Sequence, residues 1–537
     1  MTDLDVRNAR IWTADPANPW ASTMTIRDGR IESIGYSDPV RHSSGTAIDL
    51  GGRLLIPGII DSHNHVRLGS GSQAVQLAGA KTLAEIHQRI DSWLDTNPEA
   101  TWVFGEGFDY AALPGQRHPR ADDLIGTCRG LPAMLLDYSV HAAWFNREAL
   151  IALGVGRDTY AVPYGHFEHD PHTGEPTGYL ADFATYGLSR AGLSTLEKLI
   201  PAYGNPAQYD RVRRGLAMAA SFGITTVVEP QNSPDDIALF HQAFDNGDLR
   251  ARVIAALFHP VGTTEDDLDE FTTLIAATQG DQIRCGPIKL YIDDIIEPHT
   301  AAMFEPYANK PDTRGHSYYE QAEINEVIAR LDARGLQCFV HATGDRGNHM
   351  VLNAFEYARA ANGHRDSRHQ IVHVECLKPA DIPRFADLGV VACMQPRHCA
   401  PEIIEEWRDN VGPQRWRYAW PMRSLADSGA TLAFSSDWNV AEMDPMIGLY
   451  SAVTRASLDG TRSWVPEECV DIETALLAYT RGGAYANFID HDRGALKPGY
   501  LADFAVLSQN ILDLDPGAIL DTQVDLTVVG GSIVHQS

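Results

Sequence analysis

Eight short apolar runs, most of them separated by helical stretches, constrain this 537-residue chain more than any other feature. They are Leu54–Ile60, Ile224–Val228, Val253–Phe258, Ile288–Ile292, Cys338–His341, Gln370–Val374, Val390–Met394 and Thr431–Ser435. Runs of this length, rich in branched aliphatic residues, suit strands buried on both faces. Helical spacing appears between them, as in Val212, Leu216 and Ala219 before Gly223. Eight strand-then-helix units predict an α/β fold, a (β/α)8 TIM-like barrel. The first two runs lie about 160 residues apart, far more than one helix needs. Residues 66–205 are therefore expected to be a large α/β insertion over the barrel mouth. Its Trp102–Asp109 and Pro132–Asp137 stretches read as strands.

The two chain ends share a different texture. Near the start, Val6–Trp12, Thr23–Arg27 and Arg30–Ile34 alternate apolar with polar, with Asp28-Gly29 as a hairpin turn. Ala502–Leu507, Leu526–Val529 and Ser532–His535 do the same near the end, with Gly530-Gly531 as the turn. Pairing the two sets predicts a small β-sandwich from residues 1–56 plus 490–537, leaving 57–489 as the barrel domain.

A formal net charge of −28 argues against nucleic acid or an anionic membrane as partner, since both call for a basic surface. No apolar stretch reaches the roughly 18 residues of a membrane span. The first residues lack the basic start and apolar core of a signal peptide. Seven cysteines, an odd number without close pairing, suggest reduced thiols and a cytoplasmic setting, Cys393 and Cys399 included. No stretch identifies an oligomer interface.

Barrel active sites form at the C-terminal ends of the strands. There the chain places His63 and His65 after strand one, Lys289 within strand four, His341 at the end of strand five, His373 in strand six and Asp437 after strand eight. His63 and His65, spaced i, i+2, project to one side of an extended segment. Nitrogen and oxygen donors without thiolate suit zinc, manganese or iron(II). Lysine ammonium is no ligand, and inside a barrel it must be paired or neutralised. Asp293 or Asp294 would pair it; carboxylation by carbon dioxide would turn it into an anionic bridge. Taken singly, His341 or His373 reads equally as a core histidine, and Asp437 as a cap on the Ser435-Ser436 turn. Together they read as a site for one or two divalent ions.

The ordered set Asp61-Ser-His-Asn-His65, Lys289, His341, His373 and Asp437 resembles the amidohydrolase superfamily. Further phrases resemble its amidohydrolase-3, YtcJ-like group: Pro119–Leu124, Asp170–Gly178, His341–Arg346, His369–His373, Gln395–His398, Ser435–Trp438, Gly494–Gly499 and Ala502-Asp503. Asp294 and the Tyr138-Ser-Val segment depart from that group's pattern and bear on the substrate. The resemblance implies a hydrolase of a C–N bond in a small-molecule amide or N-substituted formamide. One metal would be held by His63, His65 and Asp437, another by His341 and His373, with carboxylated Lys289 bridging them. Asp437 would act as general base and then acid, with metal-activated hydroxide as nucleophile. His141 and His398 are the further catalytic candidates, and Phe108 and Trp438 candidate walls of the substrate pocket. Two alternatives stay open: hydrolysis of a cyclic amide or deamination by the same apparatus, and a non-catalytic binding relative.

Overall fold

The computed structural model describes residues 3–36, 46–69 and 74–537, in two compact units. The first holds residues up to 65, 216–234 and 240 onward; the second holds 66–215 and 235–239.

Eight parallel strands form the centre of the first unit. They are β1 (Ile59–Asp61), β2 (Ile224–Asn232), β3 (Arg252–Phe258), β4 (Ile283–Tyr291), β5 (Cys338–Ala342), β6 (Gln370–His373), β7 (Val391–Met394) and β8 (Thr431–Phe434). Each pairs with the next in sequence. At the seam between β8 and β1, Ser62 N, just beyond β1, donates to Phe434 O at 3.3 Å. The barrel is thus nearly closed. Ala256, Phe339, Val372 and Cys393 pack its interior.

The run Leu54–Ile60 does not stay in one sheet. Leu54–Pro57 pairs with Arg10–Trp12 and Phe504–Leu507, and only Ile59–Asp61 enters the barrel. The break falls at Gly58, where a Cβ would lie 2.1 Å from Thr225 Oγ1. The chain can step from one sheet to the next there only without a side chain.

Strands from both chain ends build two further sheets. One has four strands, in the order Arg30–Gly35, Thr23–Arg27, Leu4–Arg7, Thr46–Asp49. The other has six and contains Arg10–Trp12, Leu54–Pro57, Phe504–Leu507, Val524–Val529 and Ser532–Gln536. Val6–Trp12, one alternating run in sequence, is divided between them at Asn8, whose φ is 50°. Val6, Ile26, Phe504 and Val506 share one core.

A buried ion pair ties the six-stranded sheet to the barrel. Arg252, in β3, donates from Nε and Nη2 to both oxygens of Asp503, at 2.7 and 2.9 Å, and Gly530 N donates to Asp503 Oδ1 at 2.7 Å. Breaking a buried pair strands a desolvated charge, at a cost of about 3–5 kcal/mol. Asp503→Ala should therefore lower the urea midpoint of unfolding by that equivalent; an unchanged midpoint would show the pair to be structurally neutral.

The second unit is organised around a seven-stranded sheet whose middle runs Pro176–Ala181, Ala143–Phe145, Ala133–Asp137, Val103–Phe108. Period-two alternation sends Phe104, Met134 and Phe145 into one core, and Val103, Leu135 and Trp144 into another, with Ile86 and Ile90 of the helix Leu83–Thr96. Arg120 Nη2 donates to Asp170 Oδ2 at 2.5 Å, joining the Pro119 and Asp170 phrases. A Cβ on Gly178 would meet Phe145 O at 2.6 Å, which explains that glycine.

All seven cysteines are free thiols. No helix among the described residues is long and apolar enough to cross a membrane.

Candidate metal centre

Hydrogen bonds at the barrel seam bring the two ligand-bearing segments together. Asp61 accepts from Ser436 N at 2.9 Å, Ser436 Oγ at 2.6 Å and Asn64 Nδ2 at 2.8 Å. Burial pushes its carboxyl up to about 6 against those donors. Asp437 N donates to His63 O at 2.9 Å, and His65 N to Trp438 O at 2.5 Å. The chain thereby holds His63, His65 and Asp437 in register before any ligand binds.

Asp437 is the hub. Its Oδ1 lies 3.1 Å from His63 Nε2 and 3.3 Å from His65 Nε2, and those two nitrogens are 3.2 Å apart. Its Oδ2 lies 3.7 Å from His373 Nδ1 and 3.8 Å from His398 Nε2. Two donor groups result, His63–His65–Asp437 and His373–His398–Asp437, each with ligand atoms within 4.8 Å of one another. Donors about 2.1 Å from a tetrahedral ion lie about 3.4 Å from each other, so the first group is spaced to fit. Asp437 and His373 hold φ of 56° and 79°, unusual for residues with a Cβ and of a kind concentrated at functional sites.

Two of the imidazoles turn their far nitrogens toward a glutamate. His65 presents Nε2 to Asp437 and Nδ1 to Glu229, 4.0 Å away within β2. His398 does the same with Glu375, 4.0 Å from its Nδ1. Trp407 Nε1 donates to Glu375 Oε2 at 3.0 Å. Burial raises the Glu375 carboxyl well above its usual range, so it faces His398 as a neutral acid. Gln395 Oε1 accepts from His373 Nδ1 at 2.9 Å.

Lys289 is fully buried, with Nζ 4.6 Å from the Tyr291 ring centre and 5.3 Å from that of Phe339. It makes no ion pair among the described residues, and Nζ has no hydrogen-bond partner. The pairing with Asp293 or Asp294 is therefore not formed. Asp293 instead accepts N–H groups from Ala302, Thr343 and Gly344, and Asp294 accepts from Thr300 Oγ1. Burial brings the Lys289 ammonium down to about 7, opposed by the Asp437 carboxylate. His341 sits beside His373, ring centres 4.4 Å apart, but lies in neither donor group; its Nε2 donates to Asp294 O at 3.1 Å.

Two expectations are revised by position. His398, read as a substrate or catalytic contact, joins His373 as a donor toward Asp437. Phe108 is fully buried between Tyr110 and Trp144 in the second unit's core, so its ring serves packing rather than a pocket wall. His141 also belongs to the second unit, half-buried, its carbonyl accepting from Phe183 N at 2.8 Å. Trp438 follows Asp437 and is half-buried. Glu229 and Glu375 were missed, although each is an acidic residue that directly follows an apolar run, which was the available signal.

Electrostatics keep the donors ready. Burial holds His63 down to about 3, so its imidazole is neutral at neutral pH. Burial alone would raise Asp437, but the imidazoles of His63, His65 and His373 overcome it and hold the carboxylate well below its usual range. The unfolded chain protonates His63 near 6.5 and the folded chain only near 3, so between those values the unfolded state binds more protons. Metal-free protein should thus lose stability as pH falls from 6.5 toward 3, by up to about 1.4 kcal/mol per unit for this group. Denaturant titrations across that range check it; His63→Asn should flatten the slope.

The Amidohydrolase family model matches residues 46–535. The chain is 30% identical to LONG AFTER FAR-RED 3 of Arabidopsis thaliana, covering all of this chain and 92% of that one. It is 27% identical to YtcJ of Bacillus subtilis over 95% of each chain. It is 25% identical to N-substituted formamide deformylase of Arthrobacter pascens over 100% and 99% of the two chains. In fold it is similar to a metal-dependent hydrolase of Pyrococcus horikoshii, with a TM-score of 0.75 at 22% identity over 96% of this chain and 99% of that one. The chain belongs to the amidohydrolase family, within the superfamily of metal-dependent hydrolases.

Proposed function

We propose that this amidohydrolase cleaves the C–N bond of a small acyclic amide or N-substituted formamide. The observation that supports it most is the convergence of four imidazoles, three buried and one half-buried, on one carboxylate, that of Asp437. His63, His65 and Asp437 would hold one divalent ion, with zinc the best match to the donors and manganese or iron(II) also suited. His373 and His398 would hold a second. A divalent ion in such a centre supplies Lewis acidity, bringing the pKa of water from about 15.7 toward 7 and polarising a carbonyl.

Asp437 then has a definite task. Ionised at neutral pH, it takes a proton from water as the water oxygen adds to the carbonyl carbon, and returns it to nitrogen as the C–N bond breaks. An acid and an amine leave. Glu229 and Glu375 stand behind His65 and His398, 4.0 Å from their far nitrogens. Trp438, next to Asp437, would border the substrate.

Lys289 would act after carboxylation: its neutral amine attacks carbon dioxide, an N–C bond forms and a proton leaves, giving an anion among His63, His373 and Asp437. Burial supplies the neutral amine, and the absence of any ion pair leaves it available.

The test is a panel of N-substituted formamides, acyl amides, cyclic imides and aminopurines, assayed with metal-loaded protein for amine or ammonia release. Metal-dependent turnover of formamides or acyl amides supports the reading. Preference for cyclic imides or aminopurines would favour the ring-hydrolysing or deaminating alternative, and inertness toward all a binding relative.

A further inference from the structure

We propose that the amino-terminal end of the barrel carries a second binding site, for the phosphate group of a small molecule. A cavity of about 570 Å³ lies there, lined by Thr431 and Leu432, the first residues of β8, whereas Asp437 follows that strand's last residue. The site is thus at the opposite end of the barrel from the metal centre. Its wall is completed by the segment 474–500 and by the turn at Asp15.

Three cations line it: Arg481, Arg493 and Lys497. Such a grouping is notable in a chain of net charge −28. Arg481 and Lys497 have no carboxylate partner among the described residues, and Lys497 Nζ rests 4.4 Å over the Tyr500 ring. Arg493 is buried, 5% exposed. Its Nε makes no hydrogen bond, although Asp492 Oδ1 lies 3.4 Å from it, and its Nη2 donates to Asp281 Oδ1 at 3.5 Å. Both are shared with Arg30. Burial and the neighbouring Arg252 hold the Arg493 guanidinium below the ordinary arginine value.

Two carboxylates in the wall, Asp490 and Asp15, offset part of this charge and leave the cations in excess. Asp490 accepts from Arg368 at 2.7 Å, and Asp15 caps its own turn by accepting from Ala17 N at 3.1 Å. A buried guanidinium with an unused N–H, flanked by two uncommitted cations, calls for a compact polyvalent oxyanion. Tyr485 and Tyr500 add aromatic surface, and the volume exceeds what inorganic phosphate alone fills.

The backbone is shaped for this cavity as well. Ala478–Gly482 winds as a π-helical segment, a wide turn found often at functional sites, and it carries Arg481. Gly482 lies against the start of β8, where a Cβ would meet Leu432 O at 2.0 Å.

Calorimetry and thermal unfolding of metal-loaded protein test the proposal, with inorganic phosphate and AMP as probes and potassium chloride matching ionic strength. Saturable binding of either probe is expected, weakened at least 10-fold in the double variant Arg481→Gln, Lys497→Gln. Both side chains lack ion-pair partners, so the fold should survive, and unchanged circular dichroism will show it. Asp437→Asn must retain the binding, which separates this site from phosphate capture at the metal centre and keeps the result independent of the proposed activity. AMP binding at least 10-fold tighter than phosphate assigns an organic phosphate; equal affinities assign the free anion. No saturable binding, equal binding in the double variant, or loss of binding in Asp437→Asn would overturn the proposal.

Discussion

Asp437→Asn is expected to lower turnover by at least 10³-fold while leaving the fold intact. The variant removes two functions at once. Proton transfer by a positioned carboxylate contributes roughly 10²–10⁴ on its own. The same side chain is the only donor common to both ligand groups, so bound metal should fall too. Asparagine keeps the shape, and the seam is held mainly through Asp61 and the backbone of residue 437, so circular dichroism and the urea midpoint should change little. Turnover within 10-fold of the parent would remove Asp437 from the chemistry.

Lys289→Met should cost at least 100-fold in turnover and about one equivalent of metal per chain. Methionine matches the length and apolar character of the stem, so packing against Tyr291 and Phe339 is kept and stability should hold or rise. A carbamate carbon signal from parent protein equilibrated with labelled carbon dioxide, absent in the variant, would identify the modification directly. Full activity with unchanged metal content would make Lys289 a packing residue.

The barrel was legible because each strand is a short apolar run, and such runs report burial on both faces. Which sheet a run joins is not encoded locally. Leu54–Ile60 is one apolar stretch, yet Gly58 divides it between two sheets, and the reason lies at Thr225, far along the chain. Val6–Trp12 was divided in the same way at Asn8. The strand Thr46–Asp49 was missed because it is largely exposed at a sheet edge and carries little apolar pattern. At the site, His63, His65, His373 and Asp437 announced themselves through residue type and position. His398 was harder, since it stands beyond β7 in a short turn and reaches Asp437 only because β7 and β8 pair side by side. Glu229 and Glu375 were read as neither ligand nor support, because their role exists only relative to the far nitrogens of His65 and His398.

The central claim is that the Asp437 cluster is a metal centre. It is tested most directly by metal analysis of freshly purified protein beside its His63→Ala, His398→Ala and Asp437→Asn variants. The parent should carry one to two equivalents of divalent metal per chain, each histidine variant should lose part of it, and Asp437→Asn most. A parent that binds no metal after incubation with zinc or manganese, or variants that retain the full complement, would contradict the account.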